Sequence, residues 1–409
     1  MNSRAMGDSG DQNQRLARIL ANASTSPYAA KRGVTALTPL ADWPILTREI
    51  LQREPDSLLA AGSHRALRRR VITSGSTGQP ITFWLDQSTH LDEARHMMRQ
   101  WRRVGFRLTH RRIRLHGHGR RLPSPAYAFL PVTHVSLLQL REGSPHLGSL
   151  VQRIAGAWLH TFPSAALHLA ELTSKSQWRA NRPRGLLLGS ETVTVEQEEY
   201  LADHFGAPVF SWYGQSEKVL LGGECTRSRQ YHFPPDYGSP EIVDARDLPI
   251  RTPGVVGRLI GTGLLNSCAP LVRYDTGDLA AWSTDPCDCG LPGPRIDRVL
   301  GRSGDFVVTP GGVRVALVGL ELQTPNYAGI TRLQYVHVTP DRLEVRYLGP
   351  GPGELQMGAL AGELEELLPG IHVTAVAVDA LELASNGKIP LLIRRFAQAA
   401  PLAPGEAGG

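Results

Sequence analysis

Hydrophobic and polar positions alternate in several distinct rhythms along this chain, and each rhythm predicts a different element. Apolar residues recur at helical spacing over Gln12–Ala23, from Leu58 to Arg70 and again from Leu91 to Val104, which predicts three helices. Between the second and third lie two short β-branched, aromatic or aliphatic runs, Val71-Ile72 and Ile81-Thr82-Phe83-Trp84-Leu85. A βαβ pattern follows. Gly185-Leu186-Leu187-Leu188 reads as a buried strand, Thr194 and Gln197 form a capping-box pair opening a helix over Val195 to Phe205, Gly206 ends it, and Pro208 forbids continuation into the strand Val209 to Tyr213. Beyond Pro253 the pattern turns β-rich, with strands at Gly257–Ile260 and Leu271–Tyr274 and a polar turn at Asp275-Thr276-Gly277-Asp278. After Arg302 strands at Val313–Val318, Leu333–Val338 and Leu343–Tyr347, a helix over Leu355–Leu368 and a strand at Val373–Val378 predict a compact α+β unit. The fold class expected is α/β, with a large N-terminal domain over residues 1–302 and a small α+β C-terminal domain over residues 303–409.

Composition agrees with a globular chain. The 409 residues are 41% hydrophobic and 20% charged, enough to bury cores in about two or three domains. No apolar run reaches the ~18 residues of a membrane helix, and the N-terminus lacks an apolar signal core, so the expected address is the cytoplasm, with no membrane partner. Four cysteines do not make a disulfide framework; reduced thiols or a metal site are the alternatives. A formal charge of +6 and an arginine-rich run from Arg95 to Arg121 suggest a nucleic-acid partner. Against it, lysine is nearly absent (Lys31, Lys175, Lys218, Lys388), so arginine is the default cation here, as a GC-rich coding sequence would produce. A solvated helix face that also favours a polyanionic small molecule is the blander account.

The candidate chemistry sits in the breaks of the pattern. Thr73-Ser74-Gly75-Ser76-Thr77-Gly78-Gln79-Pro80 packs hydroxyls and glycines between two strand-like runs; bare N–H groups and O–H donors there would form an anion-binding nest, although the same composition also makes ordinary linkers. It is not the lysine-bearing phosphate loop, since no Lys follows the last Gly. The two strands of the βαβ unit deliver Gly189-Ser190-Glu191 and Gly214-Gln215-Ser216-Glu217 side by side, where open parallel sheets bind ligands. Cys287-Asp288-Cys289, with Cys225 and His232 upstream, could close a tetrahedral zinc site or could be unligated thiols. Cys268 reads as a small core residue.

Taken together, TSGSTGQP (73–80), GSE (189–191), WYGQSE (212–217), RYDTGDL (273–279), GRSGD (301–305) and SNGK (385–388) resemble the adenylate-forming superfamily of acyl- and aryl-CoA synthetases, adenylation domains and luciferases. CDCG at 287–290 and the YGQSE form resemble its phenylacetate-CoA ligase branch, including CapK-like relatives. The resemblance implies an ATP-dependent enzyme that activates a small carboxylic acid as an acyl adenylate and then transfers the acyl group, with coenzyme A the leading acceptor. An amine, a hydroxyl or a carrier-protein thiol is the rival within the class, and a non-catalytic nucleotide- or nucleic-acid-binding protein the rival outside it. By the same resemblance Thr73, Ser74, Gly75, Ser76, Thr77 and Gly78 would grip the β- and γ-phosphates. Gly189, Ser190 and Glu191 would lie along adenine, Tyr213 would stack on it or close that pocket, and Gly214 would join the nucleotide site. Glu217 would hold Mg2+, Asp278 would accept the ribose hydroxyls, and Arg302 would support the ribose. Lys388 would be the catalytic lysine, and Cys225, His232, Cys287 and Cys289 would hold a structural Zn2+.

The residues themselves leave blander roles open. Asp278 could be a turn residue, Glu217 a surface acid, and Lys388 a solvated lysine in a turn. Gln79 stands where a lysine is common, Gly304 where the hinge usually has an acid, and Leu383-Ala384-Ser385-Asn386 lacks the usual Pro-Arg lead-in. Tyr127, Phe129, Phe210 and Trp212 would suit an aryl acid or fill the core. The oligomeric state expected is a monomer or a homodimer.

Overall fold

The structure is a computed structural model. It describes residues 3–64, 67–72, 81–116, 132–136, 146–302, 306–311, 314–316, 330, 332–349, 354–384 and 389–396. The chain divides into two compact units, one comprising Met1–Ser303 and the other Gly304–Ala384 with Ile389–Gly409.

In the first unit β1 (Arg68–Ile72) and β2 (Thr82–Asp86) form an antiparallel ribbon, with Ile72 opposite Thr82. The remaining strands are β3 (Arg112–His116), β4 (Val132–Ser136), β5 (Trp158–Thr161), β6 (Gly185–Gly189), β7 (Val209–Gly214), β8 (Leu221–Glu224), β9 (Tyr231–His232), β10 (Gly238–Val243), β11 (Val256–Gly263), β12 (Tyr274–Trp282) and β13 (Arg295–Arg302). They join one mixed sheet in the order β10-β11-β12-β13-β9-β8-β7-β6-β5-β3-β4. From β4 to β7 the pairing is parallel, and from β7 onward it is antiparallel. The parallel strands follow the expected physics. β6 is buried at all five positions, because helices cover both faces.

On one face the helix Gln87–Arg103 lays Met97 and Trp101 against Trp158, Leu187, Phe210 and Leu221. On the other, helices including Pro163–Glu171 and Val195–Phe205 bury Leu167, Leu201 and Phe205 against Leu159, Leu186 and Leu188. The antiparallel half packs Leu220, Leu259, Ile296 and Val299 against the β1–β2 ribbon through Ile81, Phe83 and Leu85. The helix Val195–Phe205 carries the capping box read from Thr194 and Gln197, and Gly206 closes it in the left-handed conformation at φ 63.

Two expectations about local structure are corrected. The helix expected over Leu58–Arg70 does not form. A short 3-10 turn ends at Leu58, Gly62 takes φ 75, and Arg68–Ile72 is a strand. The pairing of Arg68–Ile72 with Thr82–Asp86 supplies backbone hydrogen bonds along a whole ladder, which outweighs a helical spacing of leucines interrupted by glycine. The second correction concerns Asp275-Thr276-Gly277-Asp278, which is not a turn between strands but lies inside β12. The ladder with β11 jumps from Leu259↔Asp278 to Ile260↔Asp275, so Thr276 and Gly277 bulge out. The bulge is closed locally. The Gly277 N–H donates to Asp275 Oδ1 (2.9 Å), the Asp278 N–H donates to Thr276 Oγ1 (3.1 Å), and the Thr276 hydroxyl donates to the Leu259 carbonyl (2.7 Å). Gly277 supplies the φ of 73 the bulge requires.

The second unit contains a ribbon of β14 (Phe306–Val308) and β15 (Arg314–Ala316), and a four-stranded sheet of β16 (Arg332–Thr339), β17 (Arg342–Leu348), β18 (His372–Ala377) and β19 (Leu392–Arg394) in the order β18-β17-β16-β19. The helix Glu354–Leu367 covers the sheet, with Leu360 and Leu364 packed against Tyr335, Leu343 and Val345.

Candidate active site and a thiol-imidazole cluster

The C-terminal ends of β6 and β7 deliver neighbouring polar segments, with Gly189 directly beside Trp212. A side chain at Gly189 would meet the Trp212 indole at 2.4 Å, so only glycine lets this pair of strand ends close. Ser190 leaves the strand in the left-handed region at φ 70, an uncommon conformation for a residue other than glycine and one frequent at functional sites. Glu191 accepts a hydrogen bond from the Ser164 N–H (3.0 Å) at the N-terminus of the helix Pro163–Glu171, where a carboxylate is favoured.

Across from these ends, the bulge in β12 presents Asp278. The Tyr213 hydroxyl donates to Asp278 Oδ2 at 2.6 Å, and the Gln215 amide donates to the Tyr213 oxygen at 2.6 Å. Gln215 is itself held, because its carbonyl oxygen accepts from the Leu220 N–H at 3.1 Å. Burial and the Asp278 carboxylate push the Tyr213 phenol up, so it stays protonated and donates. In the β12–β13 ladder Asp278 stands opposite Arg302, whose side chain lies outside the described residues.

Glu217 is buried, and Tyr274 at the start of β12 donates its hydroxyl to Glu217 Oε1 at 3.1 Å. Glu217 is therefore not the solvated surface acid its position after a strand allowed. Its neighbour Lys218, at φ 59, pairs with Glu93 of the helix Gln87–Arg103 at 2.5 Å. Gly214 closes β7 against Leu221. The glycine-rich segment with Thr73, Ser74, Gly75, Ser76, Thr77 and Gly78, and likewise Lys388, lies outside the described residues.

Beneath the β7 end a charged network joins the elements that carry these residues. From β13, Arg298 donates to Glu198 Oε2 (2.8 Å) and Glu224 Oε1 (3.2 Å), to Ser211 Oγ (3.0 Å) and to the Tyr231 hydroxyl (2.9 Å). Glu198 belongs to the helix after Glu191, Ser211 precedes Trp212 and Tyr213, Glu224 precedes Cys225, and Tyr231 precedes His232. One guanidinium thus fixes four strands and a helix. Nothing in the sequence pointed to it, since its partners lie as far as one hundred residues away.

Cys225, His232, Cys287 and Cys289 come together, with all four ligand atoms within 4.8 Å of one another. The Cys225 and Cys287 sulfurs are 3.5 Å apart, and Cys289 Sγ is 3.6 Å from His232 Nε2. A zinc tetrahedron with Zn–S near ~2.3 Å has edges of about 3.8 Å, so this donor set fits such an ion. The surroundings fit it as well. Main-chain N–H groups two residues on donate to two of the sulfurs, Arg227 to Cys225 and Leu291 to Cys289, both at 3.4 Å, and the Ser228 hydroxyl donates to Cys287 at 3.3 Å. Burial, with Arg295 and Arg103 nearby, lowers the His232 imidazole to about 4, the neutral form that ligates. Cys268 is elsewhere, buried, its thiol beside Asn266 and pushed up by burial and by Asp86 to about 12.

The fold, a large α/β unit with strand-end polar loops and a small α+β unit, is shared with solved structures of known enzymes. A crystal structure of 2-hydroxyisobutyryl-CoA ligase in the postadenylation state, in complex with R3-HIB-AMP, superposes with a TM-score of 0.73 at 17% identity, covering 95% of this chain and 90% of that one. ATP-bound MatB from Rhodopseudomonas palustris follows at a TM-score of 0.55 and 16% identity, over 78% of this chain and 66% of that one. In sequence the chain is 29% identical over 237 residues to the phenylacetate-coenzyme A ligase of Thermus thermophilus. That match spans about half of each protein, 54% of this chain and 52% of the relative. No family model matches the chain.

Proposed function

We propose that this protein is an ATP-dependent carboxylate-activating enzyme, joining a carboxylic acid to AMP with release of pyrophosphate and then passing the acyl group to coenzyme A. The observation that carries the proposal is Asp278. A bulge inside β12 holds its carboxylate, almost fully buried, against the Tyr213 hydroxyl beside the end of β7. An acid held this way, among strand ends where a nucleotide binds in open sheets, suits the paired hydroxyls of a ribose. The names of the relatives support coenzyme A as acceptor.

The chemistry matches the residue types. A carboxylic acid with a pKa near ~4 is already ionised at neutral pH, so no general base is needed. Its oxygen attacks the α-phosphorus, a P–O bond forms, and pyrophosphate leaves with the electron pair of the cleaved bond. In the second step a thiolate attacks the acyl carbon and AMP leaves. The protein's task in the first step is to bring two anions together. Asp278 and Tyr213 orient the ribose, Gly189, Ser190 and Glu191 flank the base, and the glycine-rich segment 73–78 grips the outer phosphates. Lys388 supplies an ammonium where negative charge meets negative charge. Glu217, oriented by Tyr274, is a hard oxygen ligand suited to Mg2+, which when bound neutralises phosphate charge. Cys225, His232, Cys287 and Cys289 would hold a Zn2+ as a structural site that takes no part in the reaction.

A screen of carboxylic acids for pyrophosphate release, run with and without coenzyme A, tests this reading. At least one acid should release pyrophosphate, and coenzyme A should accelerate turnover with that acid. Silence from aryl, alkyl and hydroxy acids alike refutes it.

A further inference from the structure

Charge is segregated along this sequence. Residues 94–190 hold fifteen arginines and Lys175 against two acids, Glu142 and Glu171, a formal charge of +14, so the total of +6 leaves −8 for the rest of the chain. A preference for arginine over lysine explains which cation is used, but not why carboxylates are excluded from one stretch and abundant elsewhere.

The fold gathers part of this charge at one place. Arg111 donates to the Ala155 carbonyl (2.7 Å) and Arg184 to the Gly156 carbonyl (3.0 Å), while the Gly156 N–H donates to the Arg182 carbonyl (2.9 Å). Arg153 is two residues from that turn, and Arg107 and Arg184 both act on the His110 imidazole, which is lowered by the little burial it has and by these two guanidiniums. These residues lie where β3, β5 and β6 begin, the opposite strand ends from Ser190 and Tyr213. Arg102, Arg107, Arg111, Arg153, Arg182 and Arg184 are all exposed, and among the described residues none forms an ion pair. Two of them, Arg102 and Arg107, line a cavity of about 370 Å³ together with Gly105, Phe106 and Leu108.

We infer that this concavity, with the exposed arginines of the neighbouring strand starts, is a docking surface for an acidic protein, one that presents Asp and Glu side chains around an apolar residue seated in the cavity. Exposed arginines without carboxylate partners are complementary to Asp and Glu side chains, and a pocket beside arginines is where the anchoring residues of protein interfaces insert. A phosphate chain fits less well. Single-stranded nucleic acid needs exposed rings to stack on, whereas Phe106 and Trp158 are buried here, and a phosphate backbone has no apolar group for the lip formed by Leu108, which is 44% exposed. The surface is independent of the proposed reaction.

The test uses the full chain and three labelled probes, a random copolymer of glutamate and tyrosine, a short duplex DNA and inorganic polyphosphate, followed by fluorescence anisotropy at low and moderate salt. The copolymer should bind at low salt and weaken as salt rises. The triple variant R102E/R107E/R182E should bind it at least about tenfold more weakly, while the control R246E/R251E, reversed at exposed arginines outside the patch, should stay within about twofold of the unmodified protein. All five side chains are solvent-facing, and matching circular dichroism spectra verify that each variant is folded. Equal loss in both variants, no copolymer binding at low salt, or tighter binding of DNA or polyphosphate through the same three arginines would each overturn the inference.

Discussion

At the scale of single residues, Asp278 and Tyr213 do different work although they share one hydrogen bond. Asp278 is the charged acceptor, so Asp278→Asn keeps the shape and removes the charge. A charge-assisted hydrogen bond contributes about 1.5–3 kcal/mol. The variant should therefore lose between about tenfold and about a hundredfold in kcat/KM for ATP, with KM for the acid nearly unchanged, as initial-rate kinetics would reveal. Tyr213→Phe removes only a neutral donor, and a loss below about tenfold is expected in the same assay. At the cluster, Cys289→Ser would take one ligand from the proposed zinc site. Purified variant should carry markedly less zinc by elemental analysis and unfold at a lower temperature, and a full complement of zinc in that variant would show that Cys289 is not a ligand.

His96 gives a residue-scale test of pH dependence. Its imidazole is buried, edge-on to Tyr237, and lies 2.9 Å from the Arg99 guanidinium. Burial lowers it to about 4, with the Asp236 carboxylate opposing and Arg99 reinforcing. The folded protein therefore binds this proton less readily than the unfolded chain. The stabilisation is complete above about 6.5 and is lost as pH falls toward 4. The full effect is on the order of 3 kcal/mol. Urea melts should show a steeper loss between pH 6.5 and 4 in the unmodified protein than in His96→Gln, and identical pH slopes would remove the assignment.

At the scale of elements, the sequence was most legible where local rules suffice. Thr194, Gln197 and Gly206 define both ends of one helix through contacts within a few residues, and β6 and β7 follow from short apolar runs. Of the strand at Arg68–Ile72 only Val71-Ile72 read as strand-like, because its stability comes from a partner across residues 73–80, while its own neighbours carry leucines at helical spacing. The bulge at Thr276-Gly277 was hidden for a related reason. Its composition is that of a turn, and only the ladder with β11 makes the strand continue through it. Arg298 belongs to this scale as well. Removing a buried guanidinium leaves Glu198 and Glu224 facing each other, which typically costs about 3–5 kcal/mol. Arg298→Met should lower the denaturation midpoint sharply, and a melt that shifts little would mean that the strands of the site are held together by other contacts.

At the scale of the whole molecule, the candidate site is assembled from segments far apart in sequence. The family resemblance implied Glu191, Tyr213, Glu217 and Asp278, and the fold supplies what a resemblance could not, namely Gln215 fixing Tyr213 and Tyr274 fixing Glu217. The three thiols and the imidazole that the sequence offered as one candidate metal site gather because β8, β9 and the segment before β13 meet, which brings together Cys225 and Cys287, 62 positions apart. No helix among the described residues is long and apolar enough to cross a membrane.

The most direct measurement of the central claim is acid-dependent exchange of labelled pyrophosphate into ATP, because it reads formation of the acyl adenylate without any acyl acceptor. The account predicts exchange that requires one class of carboxylic acid, falls by at least about tenfold in Asp278→Asn, and falls by about a hundredfold or more in Lys388→Ala. Exchange with no acid present, or exchange with an acid that proceeds at full rate in both variants, would contradict it.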